Sequence, residues 1–257
     1  PSHGVRSAAG LARDSLPKEV PVVNVAKGIE NNTLMRMSEV LSEELGRTGA
    51  RGISSLVGPS HAEEVSRRLP TTVVAAALEE KTAVDTRNLF MTDYLRVYTN
   101  TDLVGVELGV SLKNVIAIAA GICDGLGYGD NTKGALLTRG LAEMTRLGTA
   151  MGGKRETFAG LSGMGDLITT CISKHSRNRY VGEQIAAGRK LSEILDRMVM
   201  VAEGVRTTRS VAELSARHSV ELPICEQMSM VLFDDKPPRE AIADLMLRDP
   251  KPERLGP

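Results

Sequence analysis

The texture of the 257-residue chain changes once, near Asn100, and that change restricts its architecture more than any single residue. Before it, short β-rich runs alternate with helical spacing. Val20–Ala26 reads as a buried strand, Ile53–Val57 as a second, Thr71–Ala77 as a third and Leu95–Tyr98 as a fourth. Between them, Thr33–Leu45 places Leu34, Met37, Leu41 and Leu45 on one helical face, and Ala62–Leu69 and Thr82–Met91 also read as helices. Such alternation predicts a mostly parallel sheet with helical crossovers. After Asn100 the strand patterns vanish. Helices are expected over Gly105–Cys123, Gly134–Met151, Asn178–Ala187, Glu203–His218, Pro223–Phe233 and Arg239–Leu247. Gly188 is a suitable C-cap, and Pro223 suits a first helical position. The fold class is therefore α/β followed by all-α, with domains of residues 1–104 and 105–257.

Composition narrows the function. Lys+Arg and Asp+Glu both number 32, so no basic excess exists to release counterions from nucleic acid. Hydrophobic residues at 42% with no net charge argue against a disordered chain. Aromatics are 3% and Trp is absent, so stacking on bases or sugars is poorly supplied. Cys123, Cys171 and Cys225 are odd in number and lack close spacing, which disfavours a disulfide framework or a zinc site and suits a reducing compartment. The four His are scattered, and no metal is expected. The longest apolar run, Val115–Cys123, is far shorter than the roughly 20 residues of a membrane span. With no charged-then-apolar leader, the expected location is the cytoplasm, with neither membrane nor nucleic acid as partner. Pro1-Ser2-His3-Gly4 lacks Met and suggests that the natural beginning lies upstream.

The chemistry-bearing residues each admit two readings. Lys113 stands in the apolar run Leu112 to Ala120. It either snorkels to the surface or stays buried with a lowered pKa, which suits a general acid/base. Lys27-Gly28 follows the first strand, where open α/β sheets bind ligands; otherwise Lys27 is a solvated loop residue. Gly58-Pro59-Ser60-His61-Ala62 follows another strand and opens a helix, either as an anion-binding turn or as an ordinary one capped by Ser60. Asp166, after two glycines, either holds an ammonium or hydroxyl or caps a helix. Ser176-Arg177-Asn178-Arg179 offers a planar fork and a neutral amide for phosphate, or is a basic surface loop. Gly125 to Asp130 follows a helix rather than a strand, so a tight helix–helix turn explains it better than a nucleotide loop.

The order of these elements is more specific than any one of them. Lys27-Gly28, Gly58-Pro59-Ser60, Gly109 to Val115, Gly125 to Thr132, Gly165-Asp166-Leu167, Ser176 to Arg179 and Glu203-Gly204 form a series that closely resembles bacterial NAD(P)-dependent glycerol-3-phosphate dehydrogenases, from the first residues to about Leu247. Homologous eukaryotic cytosolic enzymes share the Lys-Asn, Gly-Asp-Asn-Thr and Arg-Asn elements. The resemblance implies a Rossmann domain, here an incomplete Rossmann-type parallel sheet, and a helical domain with substrate in the cleft between them. It implies interconversion of sn-glycerol 3-phosphate and dihydroxyacetone phosphate with NAD or NADP, supplying glycerol phosphate for phospholipid synthesis. By position, Lys113 resembles the proton acceptor and donor, and Lys27 the residue touching both cofactor and substrate. Gly58, Ser60, Asp166, Ser176, Arg177 and Asn178 resemble the substrate pocket; Ala62, Arg177, Val201 and Glu203 resemble cofactor contacts. A small phosphorylated triose is the implied partner, and a homodimer the implied assembly. The family's opening Gly-x-Gly-x-x-Gly strand–loop–helix is not matched by this sequence. That leaves two competing expectations: a truncated, non-catalytic helical dimerising fragment, and a related hydroxy-acid dehydrogenase of hydroxyisobutyrate or phosphogluconate type.

Overall fold

A computed structural model describes residues 1–17, 20–46, 52–198, 200–250 and 252–253. Its sheet has four strands in spatial order β1-β2-β3-β4: β1 (Val22–Asn24), β2 (Ile53–Val57), β3 (Thr71–Ala76) and β4 (Leu95–Asn100). β1 and β2 are parallel, with Val22 opposite Ile53, and β3 and β4 are parallel from Thr71–Leu95 to Ala76–Asn100. The parallel pairs are crossed by α2 (Met37–Glu44) and α4 (Glu80–Phe90). Between β2 and β3 the pairing is antiparallel, Val57 facing Val74. The reason lies in the connection. Its helix, α3 (Ala62–Val65), is a single turn and cannot carry the chain back along the sheet as a parallel crossover requires. The expected run of helix to Leu69 stops early, with Arg68 in the left-handed region. A further helix, α1 (Val5–Ala12), is held against α2 by Ala9, Leu41 and Ile53, and by Arg6 paired with Glu30, Glu43 and Glu44.

The helical part is organised around α5 (Leu103–Gly125), in which all but a few residues are buried. By length and apolar composition α5 could cross a membrane, but 94% of its most apolar stretch is covered by the protein itself. Its first turns pack Leu103, Val106 and Val110 on Val57, Val74 and Ala76 of the sheet. Its later turns form the bundle core with α6 (Asp130–Ala150), α8 (Asp166–Ile172), α9 (Arg177–Ala186), α11 (Glu203–His218) and α12 (Pro223–Phe233). Each large apolar side chain so buried contributes about 1.5–3 kcal/mol. The short helices α7 (Arg155–Phe158) and α10 (Leu191–Arg197), and α13 (Pro238–Met246), complete this part. α5 and α9 cross backbone to backbone: a Cβ on Gly121 would lie 1.9 Å from the Arg179 carbonyl, and one on Gly182 2.0 Å from that of Ile118. Alanine at either position would force the helices apart.

Two buried carboxyl groups fasten these elements together. Asp102 accepts from the amides of Gly105 and Lys154 and from the Thr157 hydroxyl, capping α5 and tying it to α7. Glu143 on α6 accepts from the amides of Ile224 and Cys225, so the opening of α12 is capped by another helix. Cys123, Cys171 and Cys225 are buried free thiols; burial pushes Cys123 up to about 11 and Cys171 up to about 12.

Candidate active site

Two ammonium groups from separate parts of the chain meet on one carboxylate. Lys27 follows β1 through a turn held by Asn24, whose side chain both accepts from the Ala26 amide and donates to its carbonyl. Gly28 then takes φ +151°, a conformation open to glycine. The Lys27 ammonium donates to the Gly58 carbonyl at 2.6 Å and to Asp166 Oδ2 at 3.0 Å. Gly58, just past β2, has φ +145°, and Ser60 Oγ donates to the same carbonyl.

Lys113 is on the buried face of α5, only 5% exposed, so the buried reading of this residue is the one the fold adopts. Its ammonium lies 3.2 Å from Asp166 Oδ2 and donates to Thr170 Oγ1 at 2.5 Å; Thr170 is also 3.4 Å from Asp166 Oδ1. A π-helical turn, Leu161–Gly165, brings Asp166 here. The turn presses so closely on α5 that a Cβ on Gly109 would lie 2.7 Å from the Ser162 carbonyl. Burial lowers the Lys113 pKa, the Asp166 charge raises it, and the Lys27 charge lowers it again, leaving it at about 8. A lysine so poised is partly neutral near physiological pH and can take a proton from an alcohol or return one to a ketone oxygen.

The remaining expected residues are placed less uniformly. Asn178 is buried, donates to Asn114 Oδ1 at 2.9 Å and accepts from the Gly204 amide at 2.9 Å, so its amide joins α5, α9 and α11. Ser176 is buried and caps α9 by accepting from the Arg179 amide, a role the sequence reading did not assign to it. Arg177 is exposed at the first position of α9, and no described contact ties it to the lysine–aspartate cluster. Ala62 is exposed at the start of α3, and Val201 is half-buried ahead of α11. Glu203 accepts from the amide and hydroxyl of Ser2 at 2.9 and 2.6 Å, beside Gly28, where a Cβ would lie 2.6 Å from Ser2 Oγ. Sequence reasoning did not single out Thr170, Ser2 or Asn114 as site residues. Thr170 was within reach, because four residues after Asp166 on a helix is one turn along the same face.

A family model described as NAD-dependent glycerol-3-phosphate dehydrogenase C-terminus matches residues 102–243, and the corresponding N-terminus model matches residues 1–83. A relative from Salinibacter ruber, named glycerol-3-phosphate dehydrogenase [NAD(P)+] 2, is 56% identical over all of this chain and 75% of its own length. One from Moorella thermoacetica, named glycerol-3-phosphate dehydrogenase [NAD(P)+], is 54% identical over 96% of this chain and 73% of its own. Among solved structures, a glycerol-3-phosphate dehydrogenase from Coxiella burnetii superposes with TM-score 0.90 at 35% identity, covering 96% of this chain and 75% of that one. The chain thus spans about three quarters of the length of these relatives.

Proposed function

The chain belongs to the NAD-dependent glycerol-3-phosphate dehydrogenase family, and on that premise we propose that it interconverts sn-glycerol 3-phosphate and dihydroxyacetone phosphate with NAD or NADP. The observation that carries this reading is the buried Lys113 ammonium sharing Asp166 with Lys27. Oxidising the secondary alcohol removes a proton from its oxygen and a hydride from its carbon. NAD or NADP, when bound, supplies the hydride acceptor, and in reduction the donor. Neutral Lys113 takes the proton from the C2 hydroxyl; in the reverse direction its ammonium returns one. Lys27 depresses the pKa of Lys113 and polarises the ketone oxygen. Asp166 holds both ammonium groups in place. Gly58 and Ser60 line the substrate side, and Arg177 with Ser176 and Asn178 form the phosphate end. Binding energy from the phosphate orients the reacting carbon.

The residues present suit the cofactor's polar end. Ser2 and Glu203 offer a hydroxyl and a carboxylate near Lys27, packed so closely on Gly28 that a Cβ there would collide with Ser2. In this reading Lys27, Ala62, Arg177, Val201 and Glu203 hold the cofactor. Residues 1–104 serve the cofactor and residues 105–257 the substrate. A homodimer formed through the helical part, a cytoplasmic location and supply of glycerol phosphate to phospholipid synthesis belong to the same reading.

The test is an absorbance assay of NADH and NADPH oxidation with dihydroxyacetone phosphate, run beside the oxidation of 3-hydroxyisobutyrate and 6-phosphogluconate, with a cofactor-binding titration. Turnover of the triose phosphate alone is expected. Preference for either hydroxy acid would favour the related dehydrogenases, and a folded protein with no cofactor binding would favour the non-catalytic fragment.

A further inference from the structure

Among the described residues, Nε2 of His61 is the buried side-chain nitrogen or oxygen that has no hydrogen-bond partner. Buried polar atoms are nearly always paired, and an orphan calls for an explanation such as a bound group. The residue stands at the cap position just before α3, two residues past Pro59, and its ring is 6.1 Å from that of His175. Burial and then the Lys113 charge lower its pKa, Asp166 raises it, Lys27 lowers it and Glu63 raises it. The imidazole is therefore within electrostatic reach of the cluster to which the reacting oxygen is assigned, and its environment favours the neutral ring. A neutral imidazole nitrogen matches a hydroxyl, which can donate or accept as needed. A phosphate is better served by a permanent cation such as Arg177.

We propose that His61 is a specificity-determining residue whose Nε2 hydrogen-bonds the free terminal hydroxyl of the bound triose phosphate. The inference rests on the dehydrogenase reading above and adds to it the discrimination between a hydroxymethyl and a methyl group at one end of the substrate. A site built to bond a hydroxyl discriminates against an analogue lacking it, because its own polar atom is left unpaired. Phenylalanine at this position fills similar space without a polar atom, whereas glutamine keeps both a donor and an acceptor.

The experiment compares dihydroxyacetone phosphate with hydroxyacetone phosphate, which lacks that hydroxyl, in the wild type, His61→Phe and His61→Gln full chains. His61→Phe is expected to lower kcat/KM for dihydroxyacetone phosphate about tenfold and to leave hydroxyacetone phosphate within about twofold. His61→Gln should restore most of the difference. Equal losses on both ketones, or no loss on either, overturn the proposal. The imidazole 15N resonance of His61 Nε2 gives a readout independent of turnover. It should move on adding dihydroxyacetone phosphate and stay still with hydroxyacetone phosphate; any other pattern also overturns the proposal. Absence of turnover in the wild type would count against the dehydrogenase reading, and the resonance test would still decide the role of His61.

Discussion

Glu107 and Lys113 occupy the same helix less than two turns apart, both are buried, and their surroundings are opposite in kind. Glu107 is held by four donors: the Ser38 amide and hydroxyl, the Ser55 hydroxyl and Arg36. Burial keeps its carboxyl above the ordinary carboxylate range, although every one of those partners pulls the other way. Lys113 has one hydroxyl, Thr170, and a carboxylate that it must share with Lys27. The first arrangement fastens α5 to α2 and β2. The second leaves an ammonium under-compensated, with its pKa reduced to about 8. The contrast separates two uses of a buried charge. A saturated one ties elements together, and a partly satisfied one can release its proton at a useful pH.

The largest effect should come from Lys113→Met, which keeps an unbranched apolar stem and removes the amine. Turnover should fall by about 10²–10⁴-fold, with the midpoint of thermal unfolding unchanged or raised. Near-normal turnover in that variant would remove the assigned role. Glu107→Ala should show the reverse pattern. Stability to urea should drop by about 3 kcal/mol, because buried donors lose their acceptor, while any turnover remaining at low temperature keeps its pH dependence. A variant as stable as the parent would dissolve the contrast between the two sites. Arg177→Ala should raise KM for the triose phosphate about 10–100-fold with little change in kcat, as expected on losing a charged hydrogen bond to phosphate. An unchanged KM would put the phosphate elsewhere.

The smallest effect concerns pH. Oxidation of glycerol 3-phosphate needs neutral Lys113, so kcat/KM should rise with pH through about 8, and reduction should decline over the same interval. Asp166→Asn removes the charge that raises the Lys113 pKa, so the break in the oxidation profile should move to lower pH by about one unit. A profile that stays in place would show that another group sets it.

Much of this was legible in the chain itself. β2, α11 and α12 lie where periodicity places them, and β1, β3 and β4 differ only at their ends. These elements are bounded by Gly, Pro or a change of period, which are local signals. The antiparallel junction between β2 and β3 was not legible, because it depends on α3 being one turn long, and Ala62–Leu69 carries helical spacing throughout. α1 was missed because its Ala- and Gly-rich sequence buries little; Arg6 and its three glutamates hold it instead. Lys113 and Asp166 could be nominated from their settings, and the order of motifs pointed to the family. Arg177, equally prominent in sequence, is solvent-exposed and outside the cluster.

What the residues determined alone is the inventory: a strand–helix part, a helical part built on one apolar helix, and a lysine on that helix that either escapes to solvent or works. Only the tertiary structure decided between those outcomes. A pKa depends on distances and burial, and these come from residues 27, 113, 166 and 170 being folded together from three separate stretches of chain. No local pattern encodes that convergence, because each stretch taken alone would leave its charge in water.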